Sequence, residues 1–400
     1  MSDAQYLLVN GHMVGTGPTT AGAAGQSFVH IQDGRIHSAG SLQEEPYSTA
    51  SPLKRVDLAG LKIAPGFIDL QLNGCGGALF NSDISEMTLA TMHSTNLRYG
   101  CTTFLPTLIT ASDDDIYQAV EVVGAYRARF PERVPGLHLE GPWLNPARKG
   151  IHNASLIRPP TKALVDFLCR NSEVVRKVTL APEVCPAATI EALTEAGIMV
   201  ALGHTDAQAE DVEKARQAGA RCVTHLYNAM SPLTSRAPGV VGATLACRDL
   251  YAGIIADGLH LSWESFAIAR KCLGERLFLV ADATALAGSD LSEFNFAGET
   301  VYRQGERCVN GAGTLGGSAL TMIDAVRNCI AQGLSEREAI DMATVRPAMV
   351  AGLAEDMGAI RAGLWANLVL LDDQLDVVGT LSAGQIHWNS ESHRERSRCL

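Results

Sequence analysis

Four side chains able to hold a metal or move a proton stand at the ends of short apolar runs. They are Glu140 in HLEGPW, His204 in VALGH, His225 in CVTH and Asp282 in LFLVAD. Two imidazoles and one carboxylate leave a coordination position open for water, as in a catalytic rather than a structural zinc site. His204 and His225 close consecutive runs separated by one helix and its turns. Adjacent parallel strands lie about 4.8 Å apart, so imidazoles at neighbouring ends can share one ion. Asp282 then suits a base that takes a proton from water and returns it to a leaving amine. Alone, Asp282 reads better as a cap for DATALAG or a helix-dipole partner, and each histidine equally well as a hydrogen-bonded core residue; the coincidence of all four favours a site. His138 shares a strand face with Glu140 and is expected behind the ligands rather than among them.

The segments that carry these residues alternate with helix-like stretches. Apolar runs of strand length occur at 63–72, 101–105, 134–139, 178–181, 198–202, 222–225, 251–256 and 277–281. Eight such runs predict a (β/α)8 barrel of the TIM type, with chemistry gathered at the C-terminal strand ends. A doubly wound open sheet is the alternative, but no G-x-G-x-x-G follows the first run. The other run ends supply Gln71, Asn73, Thr107 and Glu183, with His260 in a loop. The clearest helix is predicted over 206–218, capped by Thr205 or Asp206 and stopped by Gly219.

Both ends of the chain read as β. Asn10-Gly11 and Asp33-Gly34 are hairpin signals between short strands, and 358–388 repeats the pattern. The expected division is a small β domain (a β-sandwich) built from 1–62 and 356–400, around a barrel over 63–355. The tail from Asn389 is polar and expected to be loose.

Composition narrows the partners. The 400 residues are 46% hydrophobic and 19% charged, enough for a large core. A net charge of −11 argues against nucleic acid or an acidic membrane, though not against a small anionic ligand held by local groups. Ten cysteines lack any C-x-x-C pair and read as reduced thiols. Neither a signal peptide nor a bilayer-length apolar run is evident, so a cytoplasmic protein is expected. Cys75, near the first run, lacks a dedicated histidine partner for nucleophilic chemistry.

Seven strings in order resemble the amidohydrolase superfamily, and more narrowly its amino-sugar-phosphate deacetylases: PGFIDLQLNGCGG, HLEGPW with KGIHN, LGHTDA, THLYNAMSPLTSRAPG, GIIADGLH, LVADAT and GTLGGSALTM. That resemblance implies metal-dependent hydrolysis of the acetamide of N-acetylglucosamine 6-phosphate. Glu140, His204 and His225 would bind the metal, with Asp282 as acid–base. His152 would contact the sugar and polarise the acetamide carbonyl; Asn228 and Ala229 would meet the phosphorylated sugar. Arg236 would bind phosphate, donated by a neighbouring subunit of a homodimer, while His260 would hold the sugar and Leu315 line the acetyl pocket. Many amidohydrolases carry His-x-His where this chain has Gln71 and Asn73. Amides are poor transition-metal ligands, so one divalent ion per subunit is expected: zinc first, with iron, manganese or cobalt also suited. The two amides could hydrogen-bond water or a ligand, or only pack and satisfy the loop.

Two other outcomes stay open at this stage. Another amidohydrolase chemistry fits the same scaffold, on N-acyl amino acids or cyclic amides, the latter usually with two metals and a modified lysine on strand four, where this chain offers Glu183. A non-catalytic scaffold is the third reading, against which the intact acid–base and ligand set speaks.

Overall fold

The structure, a computed structural model, describes residues 5–15, 25–47 and 53–390. Eight strands form one sheet in chain order: Phe67–Leu72, Cys101–Ile109, Leu137–Glu140, Val175–Leu180, Met199–Leu202, Cys222–Val223, Tyr251–Ile254 and Leu277–Leu279, called here barrel strands one to eight. Strands two to eight pair in parallel. The sheet closes on itself above strand eight, where Asp282 N–H donates to Gln71 O at 3.0 Å and Asn73 N–H to Ala283 O at 2.9 Å. Lower on the same seam the Asp69 carboxylate accepts from Ala281 N–H at 3.3 Å and from Gln71 N–H at 3.0 Å.

Local sequence starts and stops the intervening helices. Ser112 and Asp115 form a reciprocal capping box for helix Asp113–Arg129, and Thr161 and Ser262 cap helices Lys162–Arg170 and Trp263–Leu273. The helix predicted over 206–218 runs from Ala209 to Gln217, with Gln208 rather than Thr205 or Asp206 as cap. Those two are diverted to Glu183, which accepts from Thr205 Oγ1 at 2.5 Å and from Asp206 N–H at 2.7 Å.

Two compact units emerge from the packing. One comprises Met1–Ile68, His93–Thr103 and Met322–Leu400; the other Asp69–Met92 and Phe104–Thr321. In the first, strands from both ends share a sheet ordered 385–388, 377–382, 368–371, 62–65, 6–13, 27–32 and 35–41, with 54–57 beside 6–13. Asp33-Gly34 forms the expected tight hairpin, both residues at positive φ. Asn10-Gly11 does not turn the chain: it is a bulge inside one strand, Tyr6–Met13, that passes the partner role from Lys54–Asp57 to Lys62–Pro65. A Cβ on Gly11 would lie 2.6 Å from Ile63 Cδ1, so a side chain there would block the crossing. The apolar run at 62–72 is therefore two strands, parted at Gly66.

The second unit also holds an antiparallel sheet absent from the sequence reading: Glu293–Phe296, Glu299–Gln304, Arg307–Asn310 and Leu315–Ser318. Asn389 is tied to Val377 and Val378, while the rest of the tail, 391–400, lies outside the described residues. None of the nine described cysteines is in a disulfide. Among the described residues no helix is long and apolar enough to cross a membrane.

Candidate active site

At the C-terminal ends of the barrel strands a cavity of about 480 Å³ opens. Glu140 is the last residue of strand three; His204 and His225 each follow their strand by two residues. Both histidines, and Asp282, sit at positive φ (48°, 30° and 50°), a conformation costing a non-glycine residue roughly 1–3 kcal/mol. The turn this imposes aims each side chain back over the barrel mouth.

Three donor atoms meet there. His225 Nε2 lies 3.1 Å from Glu140 Oε1 and 3.1 Å from His204 Nε2, and His204 Nε2 lies 3.3 Å from Glu140 Oε1. Tetrahedral ligands at about 2.0–2.2 Å from an ion stand roughly 3.3–3.6 Å apart, so a common divalent ion needs these donors to part by only a few tenths of an ångström. The chemistry agrees. His204 Nδ1–H donates to Arg148 O at 2.9 Å, so once Nε2 gives up the proton it shares with Glu140 its lone pair faces the ion position. Burial opposes the charge on Glu140, but hydrogen bonds from His204 and His225 outweigh it and hold the carboxyl well below its usual range. His225 Nδ1 is buried without a partner.

A second, overlapping trio exists: Glu140, His152 and His204 offer ligand atoms within 4.8 Å of one another. The two trios share the Glu140–His204 side, and His152 has another engagement. Thr110 N–H donates to His152 Nδ1 at 3.3 Å, with Thr110 Oγ1 2.8 Å away. A neutral ring whose Nδ1 accepts must carry its proton on Nε2. Burial, then the adjacent His204, lowers the His152 pKa far below the ordinary imidazole value, so the ring stays neutral. Glu140, His204 and His225 are thus the better-placed candidates to hold an ion.

Asp282 stands beside the trio. Its Oδ1 accepts from Asn73 Nδ2 at 2.7 Å and from Gln71 Nε2 at 3.2 Å, and Gln71 Nε2 also donates to Glu140 Oε1 at 3.1 Å. Both amides are donors: Gln71 bridges the two carboxylates and Asn73 reaches Asp282 alone. Their oxygens, Gln71 Oε1 and Asn73 Oδ1, are buried without partners. Burial first, and the Glu140 charge second, raise the Asp282 pKa above the normal carboxyl value. No helix follows Asp282, so it caps none.

The remaining positions distribute as follows. His152, Asn228, Ala229, His260 and Leu315 line the cavity with Asn73, the trio and Asp282. Arg236 does not; it sits on an exposed stretch, 232–238. His138 is not at the mouth, since both its ring nitrogens are taken by Thr107 and Thr179 beneath Glu140. Glu183 braces a loop through Thr205, Asp206 and Asn145, and Lys177 of strand four is fully buried below the mouth, 3.5 Å from Leu70 O. Neither lines the cavity, so no strand-four ligand for a second ion is offered. Sequence reasoning missed Thr110, Arg148 and Asp257. The last takes His260 Nδ1–H at 2.6 Å and fixes that ring; only its place three residues upstream in DGLH could have signalled it. Also missed was an apolar wall of Ile109, Ile151 and Phe296 beside Leu315.

Comparison with known proteins agrees with this geometry. The amidohydrolase family model matches residues 63–387. A Haemophilus influenzae N-acetylglucosamine-6-phosphate deacetylase is 39% identical over 364 residues, covering 90% of this chain and 94% of that protein. A Shewanella N-acetylgalactosamine-6-phosphate deacetylase is 38% identical, covering 92% and 93%. Among solved structures, the Pasteurella multocida N-acetylglucosamine-6-phosphate deacetylase superposes with a TM-score of 0.91 at 39% identity, over 96% of this chain and all of that one. An aspartate-to-alanine mutant of the Mycobacterium smegmatis enzyme, in complex with N-acetyl-D-glucosamine 6-phosphate, superposes at 0.86 with 29% identity, over 96% and 99%. The chain belongs to the amidohydrolase family and, within it, to the N-acetylglucosamine-6-phosphate deacetylases.

Proposed function

We propose that this protein hydrolyses the acetamide of N-acetylglucosamine 6-phosphate to glucosamine 6-phosphate and acetate. The observation that carries the reading is the tight Glu140–His204–His225 triangle with Asp282 held beside it by two amide donors. A divalent ion, zinc foremost, held by that triangle supplies Lewis acidity that sharpens water as a nucleophile and polarises a carbonyl. His152, its Nδ1 occupied by Thr110, presents Nε2–H to the acetamide oxygen as negative charge develops there. Asp282 takes the proton of the attacking water and passes it to the departing amine; its raised pKa suits a group that must both accept and release. The wall of Ile109, Ile151, Phe296 and Leu315 receives the acetyl methyl. His260, braced by Asp257, and Asn228 with the Ala229 backbone hold the phosphorylated sugar, and Arg236 reaches the phosphate from a second subunit of a cytoplasmic homodimer. In this reading 63–355 is the catalytic domain, and 1–62 with 356–400 the small β domain.

The galacto epimer is the second reading, favoured by the 38% identical relative named for it. Parallel assays of both N-acetylhexosamine 6-phosphates, unphosphorylated N-acetylglucosamine and N-acetyl amino acids, with metal analysis, test the proposal. We expect the phosphorylated glucosamine to give the highest kcat/KM. Equal rates without the phosphate would overturn it.

A further inference from the structure

Directly beneath the site the barrel departs from the usual filling of branched apolar side chains. Thr107, His138, Thr179 and Thr224, from strands two, three and four and from just beyond strand six, are all fully buried or nearly so. They form a continuous chain of hydrogen-bonding groups. Leu72 N–H of strand one donates to Thr107 Oγ1 at 3.0 Å; Thr107 Oγ1 meets His138 Nδ1 at 3.0 Å; His138 Nε2 meets Thr179 Oγ1 at 2.7 Å; and Thr179 Oγ1 meets Thr224 Oγ1 at 2.7 Å. The last step passes over strand five, and Gly203 makes room for it. A Cβ at Gly203 would lie 2.8 Å from Thr179 Cγ2 and 3.1 Å from Thr224 Cβ.

The belt touches the neighbours of the whole site. Leu72 lies between Gln71 and Asn73, His138 is two residues before Glu140, Gly203 precedes His204 and Thr224 precedes His225. Its polarity also follows. A ring with a single N–H gives two possible directions. Only one finds an acceptor for every hydroxyl: Thr224 O–H to Thr179, Thr179 O–H to His138 Nε2, His138 Nδ1–H to Thr107, and Thr107 O–H to Leu105 O at 3.4 Å. A fully satisfied buried network tolerates no slip, because any slip orphans a polar group in a low-dielectric interior.

Building on the assignment of the ion to Glu140, His204 and His225, we propose that the Leu72–Thr107–His138–Thr179–Thr224 belt is a positioning device that sets the relative heights of the ligand-bearing strands. Thr179 and its partners touch no substrate; they act through the ligands above them.

Thr179→Val keeps the shape and removes the hydroxyl, while Thr179→Ser restores it. In cobalt-loaded protein, chelator competition should show T179V binding the ion about 10–100-fold more weakly than wild type. Its visible d–d spectrum should change, and T179S should recover both. Thr224→Val cuts the same bond and is read by the same criteria should T179V be insoluble. In metal-free, 15N-histidine-labelled protein, the His138 ring should carry its proton on Nδ1 and shift its Nε2 resonance in the valine variant. Wild-type protein that binds no cobalt would sink the metal assignment, leaving the nitrogen resonances to decide the belt. Wild-type cobalt affinity and spectrum in the valine variants, loss that serine does not restore, or a His138 ring protonated on Nε2 would overturn the belt.

Discussion

Replacing Asp282 with asparagine separates the base from the metal site. The Oδ1 of Asp282 receives Asn73 Nδ2 at 2.7 Å and Gln71 Nε2 at 3.2 Å, and an asparagine oxygen can receive the same two bonds. Position is therefore kept. What disappears is the capacity to take a proton, normally worth about 10²–10⁴ in rate, or roughly 3–5.5 kcal/mol of barrier. None of the three ion ligands is touched, and Glu140 loses a like charge beside it. Steady-state turnover of N-acetylglucosamine 6-phosphate and elemental analysis should be run on the same preparation. We expect kcat to fall at least a hundredfold, KM to change little and metal content to match wild type. A fall in kcat below tenfold would refute the assignment of Asp282 as base; metal lost in proportion to activity would show it to be a ligand.

Removing the ion with a chelator should abolish activity, and zinc should restore it, whereas activity surviving in metal-free protein would exclude the proposed chemistry. Gly should be better tolerated than Ala at position 204, by about 1 kcal/mol in metal-free denaturation, because φ is +48° there; equal stabilities would refute the strain. Burial lifts Asp69 from 3.8 to about 7. Between pH 4 and 7 the folded protein keeps a proton that the unfolded chain has released, so this group lowers stability as pH rises through that window. The loss reaches at most about 4 kcal/mol, at about 1.4 kcal/mol per pH unit. Asp69→Asn should flatten that slope in denaturant titrations, and an unchanged slope would refute it. Arg236→Ala should raise KM for the phosphorylated sugar while sparing kcat, a pattern that equal KM values would contradict.

The barrel and the grouping at its mouth were legible because each residue closes an apolar run, so counting runs and reading their last residues located Glu140, His204, His225 and Asp282 together. The role of Gln71 was not, because an amide can donate or accept and only the positions of Glu140 and Asp282 decide which. Gly203 gives no sign in sequence of the bond it lets pass between two threonines on other strands. The antiparallel sheet after strand eight escaped notice for a different reason. Runs such as EFNF and ETVYRQ are mostly exposed, with Phe296 and Val301 as their buried anchors, so they lack the apolar density that marked the barrel. Asn10-Gly11 carried a true turn signal, spent on a bulge by the two strands that share its partner.

The seam between the first and last barrel strands carries a consequence for how the molecule matures. Every candidate ion ligand comes from the third, fifth or sixth segment, whereas Asp282 hangs from the eighth, its own N–H on Gln71 O and that of its neighbour Ala281 on the Asp69 carboxylate. A chain whose final segment has not yet docked already possesses its complete ligand set and lacks only its proton carrier. On the proposed ligand set, loading with metal and competence to turn over would be separate events, and full occupancy would not certify a finished enzyme.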